Sequence, residues 1–156
     1  MKRTILVIGL VALCAGAAFA ASAFASSSPH AAGCTPGVHK IGGVNARTFC
    51  GPAKASVHLG GKTVAYKNGE CSKSIGLFSV NIGTVVLGNL KSKPEYFGVT
   101  AKAKAGVQAQ QTIAVVHGGK TKAIIGTVTL KAGLKSGTFS GKVFGSPTKI
   151  SGSFTC

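Results

Sequence analysis

The chain contains no tryptophan and no aspartate, and its 156 residues hold only two carboxylates, Glu70 and Glu95. Catalysis by paired carboxylates needs both in one place, yet one stands beside Cys71 and the other follows Pro94, both turn-like settings. A Ser–His–acid relay would have to recruit one of the same two, and no serine lies in a nucleophile-elbow motif. His30, His39, His58 and His117 are scattered, without acidic or cysteine company at ligand spacing. There is no Cys-x-x-Cys pair for zinc or redox work. Gly61-Lys62-Thr63 and Gly119-Lys120-Thr121 look like the end of a phosphate-binding loop. That loop needs a glycine five residues earlier, where Ser56 and Ala114 stand. Neither catalysis nor a cofactor or metal is expected.

Arginine is almost as scarce. Arg3 and Arg47 are the only two, and every other cation is a lysine. Without guanidinium forks for base edges, and with only Tyr66, Tyr96 and core-bound phenylalanines to stack on bases, sequence-specific nucleic-acid reading is disfavoured. Helical periodicity is missing too, and no apolar run reaches the roughly 20 residues of a membrane span.

The opening residues have the form of an export signal: Met1-Lys2-Arg3, then apolar Ile5–Leu13, then small residues. Ala18-Phe19-Ala20 and Ala23-Phe24-Ala25 are both acceptable cleavage triplets. Cleavage after Ala25 is preferred to cleavage after Ala20, because Ser26-Ser27-Ser28-Pro29 then opens a polar mature end. Val11-Ala12-Leu13-Cys14 resembles a bacterial lipoprotein box, making Cys14 a possible lipidation site that would anchor the chain to a membrane; Leu13 stands where that box has a small residue. The expected organisation is a signal peptide over 1–25, a flexible arm over 26–46 and one β domain over 47–156, secreted or at the cell envelope.

Cys34, Cys50, Cys71 and Cys156 remain as an even set, which in an exported chain argues for two disulfides. Of three connectivities, Cys34–Cys50 and Cys71–Cys156 are favoured: the first ties down the arm, the second closes a long loop. Alternation at period two runs through most of the remainder. Ala53, Ala55, Val57 and Leu59 share a face, as do Phe78, Val80 and Ile82, and Phe97, Val99, Ala101 and Ala103. At the end of the chain Phe139, Gly141 and Val143 face Ile150, Gly152, Phe154 and Cys156 across a turn predicted at Gly145-Ser146. Gly60-Gly61, Asn68-Gly69 and Gly118-Gly119 are further turn signals. These patterns predict an all-β fold: a single antiparallel sandwich or flattened barrel of about 8–10 short strands.

The charge is lopsided, at a formal +16. Lys102 and Lys104, Lys120 and Lys122, and Lys91 and Lys93 stand two apart, so on strands each pair points one way. Such rows keep a sheet soluble and protect its edges; read functionally, they are surfaces that attract polyanions without selecting among them. The expected partners are anionic envelope polymers or an anionic lipid surface. An apolar ligand carried between the sheets is the alternative.

Thr48-Phe49-Cys50-Gly51-Pro52-Ala53-Lys54-Ala55, Gly60-Gly61-Lys62-Thr63 with Gly69-Glu70-Cys71, Val80-Asn81-Ile82-Gly83 and the ending, Gly137-Thr138-Phe139-Ser140-Gly141 with Ile150–Cys156, resemble small secreted β-proteins of high-GC actinobacteria. More remotely they are similar to the mycobacterial LpqH-type lipoprotein antigens. The resemblance implies an exported, envelope-associated, non-enzymatic β domain, with cysteines in a mid-chain turn and at the C-terminus matching Cys71 and Cys156. It also implies surface display and adhesion. The chain departs from that pattern at Leu13 and in having Cys34 and Cys50.

Overall fold

In the computed structural model residues 33–156 are described; the leader, its cleavage triplets, Cys14 and His30 lie outside the described residues. Ten strands follow one another: β1 (Gly37–Ile41), β2 (Val44–Phe49), β3 (Ala53–Leu59), β4 (Lys62–Ser74), β5 (Leu77–Val86), β6 (Tyr96–Lys102), β7 (Gly106–His117), β8 (Lys120–Leu130), β9 (Ser136–Val143) and β10 (Lys149–Thr155). A single 3₁₀ turn, Ala132–Leu134, links β8 to β9. From β3 onward every strand pairs antiparallel with its successor. β10 then returns to pair with β3, Phe154 opposite Ala55 and Ile150 opposite Leu59. Eight strands therefore close an up-and-down barrel, the second of the two predicted architectures. Closure leaves the ring without a free edge.

The alternation seen in the sequence is the barrel's inside and outside. Phe78, Phe97 and Phe154 are fully buried, with Ile82, Ile113, Ile124, Leu130 and Ile150 among them. The rings of Phe97 and Phe139 lie 5.2 Å apart and those of Phe78 and Phe154 6.1 Å. Glycines make room for these rings. Gly152 sits directly opposite Phe139, and Gly137 directly opposite Phe154. A Cβ on Gly137 would come within 2.6 Å of the Phe154 ring, and one on Gly152 within 2.6 Å of the Phe139 ring. The interior is thus filled by phenylalanine laid over glycine, each buried ring contributing roughly 2–3 kcal/mol. Tyr66 completes the filling. Its ring packs 5.9 Å from Phe97, and its hydroxyl donates to the Val116 carbonyl at 3.1 Å.

β1 and β2 form a hairpin outside the ring. β2 pairs with Gly83–Val86 of β5, beyond the point where β4 leaves that strand. The stretch predicted as a flexible arm to residue 46 is therefore strand-paired from Gly37, because Gly42-Gly43 (φ 54 and 81) folds it back on itself. Phe49 seats the hairpin on the barrel wall against Tyr96, with centroids 6.1 Å apart, and the Arg47 guanidinium lies 5.1 Å over the Phe49 ring.

Both predicted disulfides are formed, Cys34–Cys50 and Cys71–Cys156. The first staples the base of the β1–β2 hairpin. The second joins the end of β10 to β4 across the start of β3, with both cysteines packed against the core.

Three local expectations need correction. Asn68-Gly69 is not a turn but a bulge inside β4: the register with β3 slips between Ala53 and Ala55, and Asn68 takes φ 65. Such an extra residue increases local bending, which a closing wall requires. The final hairpin does not turn on Gly145-Ser146 with glycine first. The Ser146 N–H bonds the Val143 carbonyl at 3.0 Å with Gly145 at φ 71, a turn over Val143–Ser146 within a longer link. Finally, the alternation read through Ala103 does not stay in one strand, for β6 ends at Lys102 and β7 starts at Gly106. It breaks at 103–105, where the Gln108 side chain bonds the Lys102 N–H and the Lys102 and Lys104 carbonyls.

Four connections are two-residue turns with both residues at positive φ: Gly42-Gly43, Gly60-Gly61, Ile75-Gly76 and Gly118-Gly119. Strand direction alternates, so the β3–β4, β7–β8 and β9–β10 turns and the 87–95 loop gather at one rim. The β4–β5 and β6–β7 turns, the 3₁₀ turn and Cys156 gather at the other.

Candidate polyanion interface

The six lysines singled out from sequence do not share one face. Lys91 and Lys93 lie in the 87–95 loop, and Lys93 bridges to Gly119 in the β7–β8 turn. This brings them to Lys120 and Lys122 at the start of β8, so four of the six meet at the first rim. Lys120 and Lys122 have the parity of Ile124 and Val128, hence of the barrel interior, rather than the outer wall. They remain hydrated because they overhang the mouth beyond the core, Lys122 half-buried. Lys102 ends β6 on the outer wall and Lys104 follows in the turn, both at the opposite rim.

One carboxylate sits within the first group. Glu95 accepts the Gly118 N–H at 2.8 Å through Oε1, and its Oε2 lies 3.0 Å from Nδ1 of His117. The side chains are 45% and 52% exposed for His117 and Glu95, respectively. One carboxylate oxygen is thus committed to the backbone of the β7–β8 turn and the other to its histidine, which makes Glu95 a clamp on that turn. No group of three His, Cys, Asp or Glu side chains able to hold a metal occurs among the described residues. The other glutamate, Glu70, stands on β4 opposite Asn81.

A cluster of lysines with no carboxylate among its lining residues lies elsewhere on the same rim. Lys142 of β9 is directly opposite Lys149 of β10, and Ser140 is directly opposite Ser151 one step below. Ser151 in turn faces His58 of β3. His58 Nδ1 lies 2.8 Å from the Thr63 hydroxyl, fixing the ring against the wall. Together with the Gly60-Gly61 turn these residues line a cleft of about 440 Å³ on the outer wall. Like charges directly opposite on a sheet repel, and no carboxylate lines this cleft.

No family model, curated protein or solved structure matches this chain.

Two ammonium groups, an imidazole and two hydroxyls around an open cleft form a donor-rich surface for a multiply charged anion such as a phosphate or sulfate group. Sequence reading by strand pairs two apart missed Lys142 and Lys149. The signal was present: the two are equidistant from Gly145-Ser146, so the predicted hairpin already placed them opposite each other.

Burial, and secondarily the charge of Glu95, pushes the Tyr66 phenol well above its ordinary range. Burial also raises that of Tyr96, whose hydroxyl donates to Asn81 Oδ1 at 2.7 Å.

Proposed function

We propose that the protein is an exported, non-enzymatic β-barrel domain of the cell envelope or extracellular space that attaches electrostatically to anionic polymers. Two disulfides suit an oxidising, extracytoplasmic compartment, and no helix among the described residues is long and apolar enough to cross a membrane. The observation that carries the reading is the opposed Lys142–Lys149 pair over Ser140, Ser151 and His58, with no carboxylate to neutralise it. A repulsive pair is a cost to the fold that a polyanion would remove. Lys91, Lys93, Lys120 and Lys122 extend the same field around the rim.

Carriage of an apolar ligand needs a lumen, and here the interior is occupied by aromatic rings. The surface display and adhesion that the resemblance implies would use the same cationic rim, and anchoring through Cys14 is the alternative form of that reading.

The test is retention on an inorganic-polyphosphate resin as salt rises. The wild type is expected to elute above physiological salt with a steep salt dependence, and a Lys142→Gln/Lys149→Gln variant well before it. Elution of the wild type at or below physiological salt would overturn the reading.

A further inference from the structure

Three of the four two-residue turns are Gly-Gly, with φ pairs of 54 and 81, 56 and 77, and 58 and 77. The fourth has the same geometry, φ 50 and 73, but is built from Ile75 and Gly76. Turns of this kind favour Asn, Asp or Gly at the first position, and a β-branched residue at positive φ is a marked outlier. Isoleucine gains nothing from the barrel in return, for its side chain is 99% exposed. A local rule broken without a packing gain is a sign of function.

The surroundings supply the rest. Leu77, next to the turn, is 47% exposed, and Val107 at the start of β7 is 74% exposed. Lys102 stands directly opposite Leu77. Lys102, Lys104 and Val107 line one cleft of about 450 Å³, whose turn is held by the Gln108 side chain. Lys73 flanks the tip on the other side. Glu95 is at the far rim, and Glu70 lies five residues back along β4.

We propose that this second rim docks on an anionic lipid bilayer, with Ile75, Leu77 and Val107 entering the headgroup–acyl boundary and Lys73, Lys102 and Lys104 contacting lipid phosphates. Apolar tips ringed by lysine fit an interface that is greasy below and negative at its surface. A soluble polyanion offers nothing for an exposed isoleucine to enter. The inference stands apart from polymer binding, because it uses the opposite end of the barrel.

Vesicle co-sedimentation tests it, with phosphatidylglycerol-containing vesicles set against pure phosphatidylcholine. Binding is expected to the anionic vesicles only. Ile75→Asn creates the favoured Asn-Gly turn, so this variant is expected to melt higher than the wild type yet bind vesicles roughly tenfold more weakly. Lys102→Gln/Lys104→Gln is expected to lose roughly 25-fold, about fivefold per lysine. Lys142→Gln/Lys149→Gln is expected to keep vesicle binding while losing polyphosphate retention. Absence of vesicle binding, or binding indifferent to Ile75→Asn, overturns the proposal. So does binding that follows Phe144, the exposed aromatic at the other rim, when Phe144→Ser is compared. None of these outcomes touches the polyphosphate result, so the two readings fail separately.

Discussion

Changing Lys149 to glutamate should make the protein more stable and less able to bind. Lys142 and Lys149 are cross-strand partners in β9 and β10, a position where side chains stand about 5 Å apart at Cβ. Like charges so placed typically cost about 0.2–1 kcal/mol, and the upper end is what two unit charges about 5 Å apart in water would give. Lys149→Gln removes the repulsion. Lys149→Glu also installs an attraction, for a total of about 1–1.5 kcal/mol at low salt. In urea this is a midpoint shift of roughly half a molar to one molar. At about 1 M salt, where the screening length falls to about 3 Å, the gain should vanish and the two curves should coincide. Retention on polyphosphate should fall for both variants, further for glutamate. If Lys149→Glu proves no more stable than the wild type at low salt, or if its gain survives high salt, then the two ammonium groups do not repel in the folded state. The cleft is then not an uncompensated anion site.

Other consequences are as direct. Gly152→Val places side-chain atoms against the Phe139 ring and the Ser56 carbonyl, so it should cost about 2–3 kcal/mol by overpacking; a loss below about 0.5 kcal/mol in urea unfolding would show a looser interior than the one described. Cys71→Ser/Cys156→Ser opens a loop with a sequence separation of 85 and should lose roughly 4–5 kcal/mol, with a steeper urea dependence as the unfolded chain expands. Cys34→Ser/Cys50→Ser, which releases only the outer hairpin, should lose no more than about 3 kcal/mol and leave amide protection in β6–β9 unchanged. The two tyrosines give a pH signature. Both phenols are raised in the folded state, so that state holds their protons more tightly than the unfolded chain. Stability should therefore be flat below the unfolded phenol value of 10.0 and fall above it. Phenolate absorbance should rise in one step with unfolding; reversible ionisation of both near that value would refute the burial.

Much of the barrel was written in period two. Phe78, Val80 and Ile82, or Ile150, Gly152 and Phe154, report their faces without help from any neighbour, and four cysteines left three pairings to choose from. The closure of β10 onto β3 was not legible, because it joins residues about a hundred positions apart and no local pattern encodes it. Besides the bulge in β4, β7 has a register shift between Gln108 and Gln111, and neither was legible, for a related reason. Asn68 and Gln110 carry positive φ to satisfy the register of the neighbouring strand, and Asn-Gly is equally a turn signal when its partners are unknown. The lysines show the sharper limit. Spacing within a strand pairs Lys120 with Lys122 but does not say on which side of the wall they stand, since parity alone does not say where the core ends. The stronger pair, Lys142 and Lys149, exists only across strands. Ile75 has no periodic signal to mark it, and only its backbone angle and exposure set it apart.

The pairing of β10 with β3 also governs when the molecule can become itself. Until residues 149–156 have emerged, β3 and β9 are both left with unsatisfied backbone, and Cys71 lacks Cys156, the sulfur it pairs with in the fold. A chain threaded through a membrane N-terminus first would stay open for most of its passage and shut only at the last strand, and the oxidant on the far side would then lock the seam. Synthesis order, topology and redox chemistry would act here as a single latch.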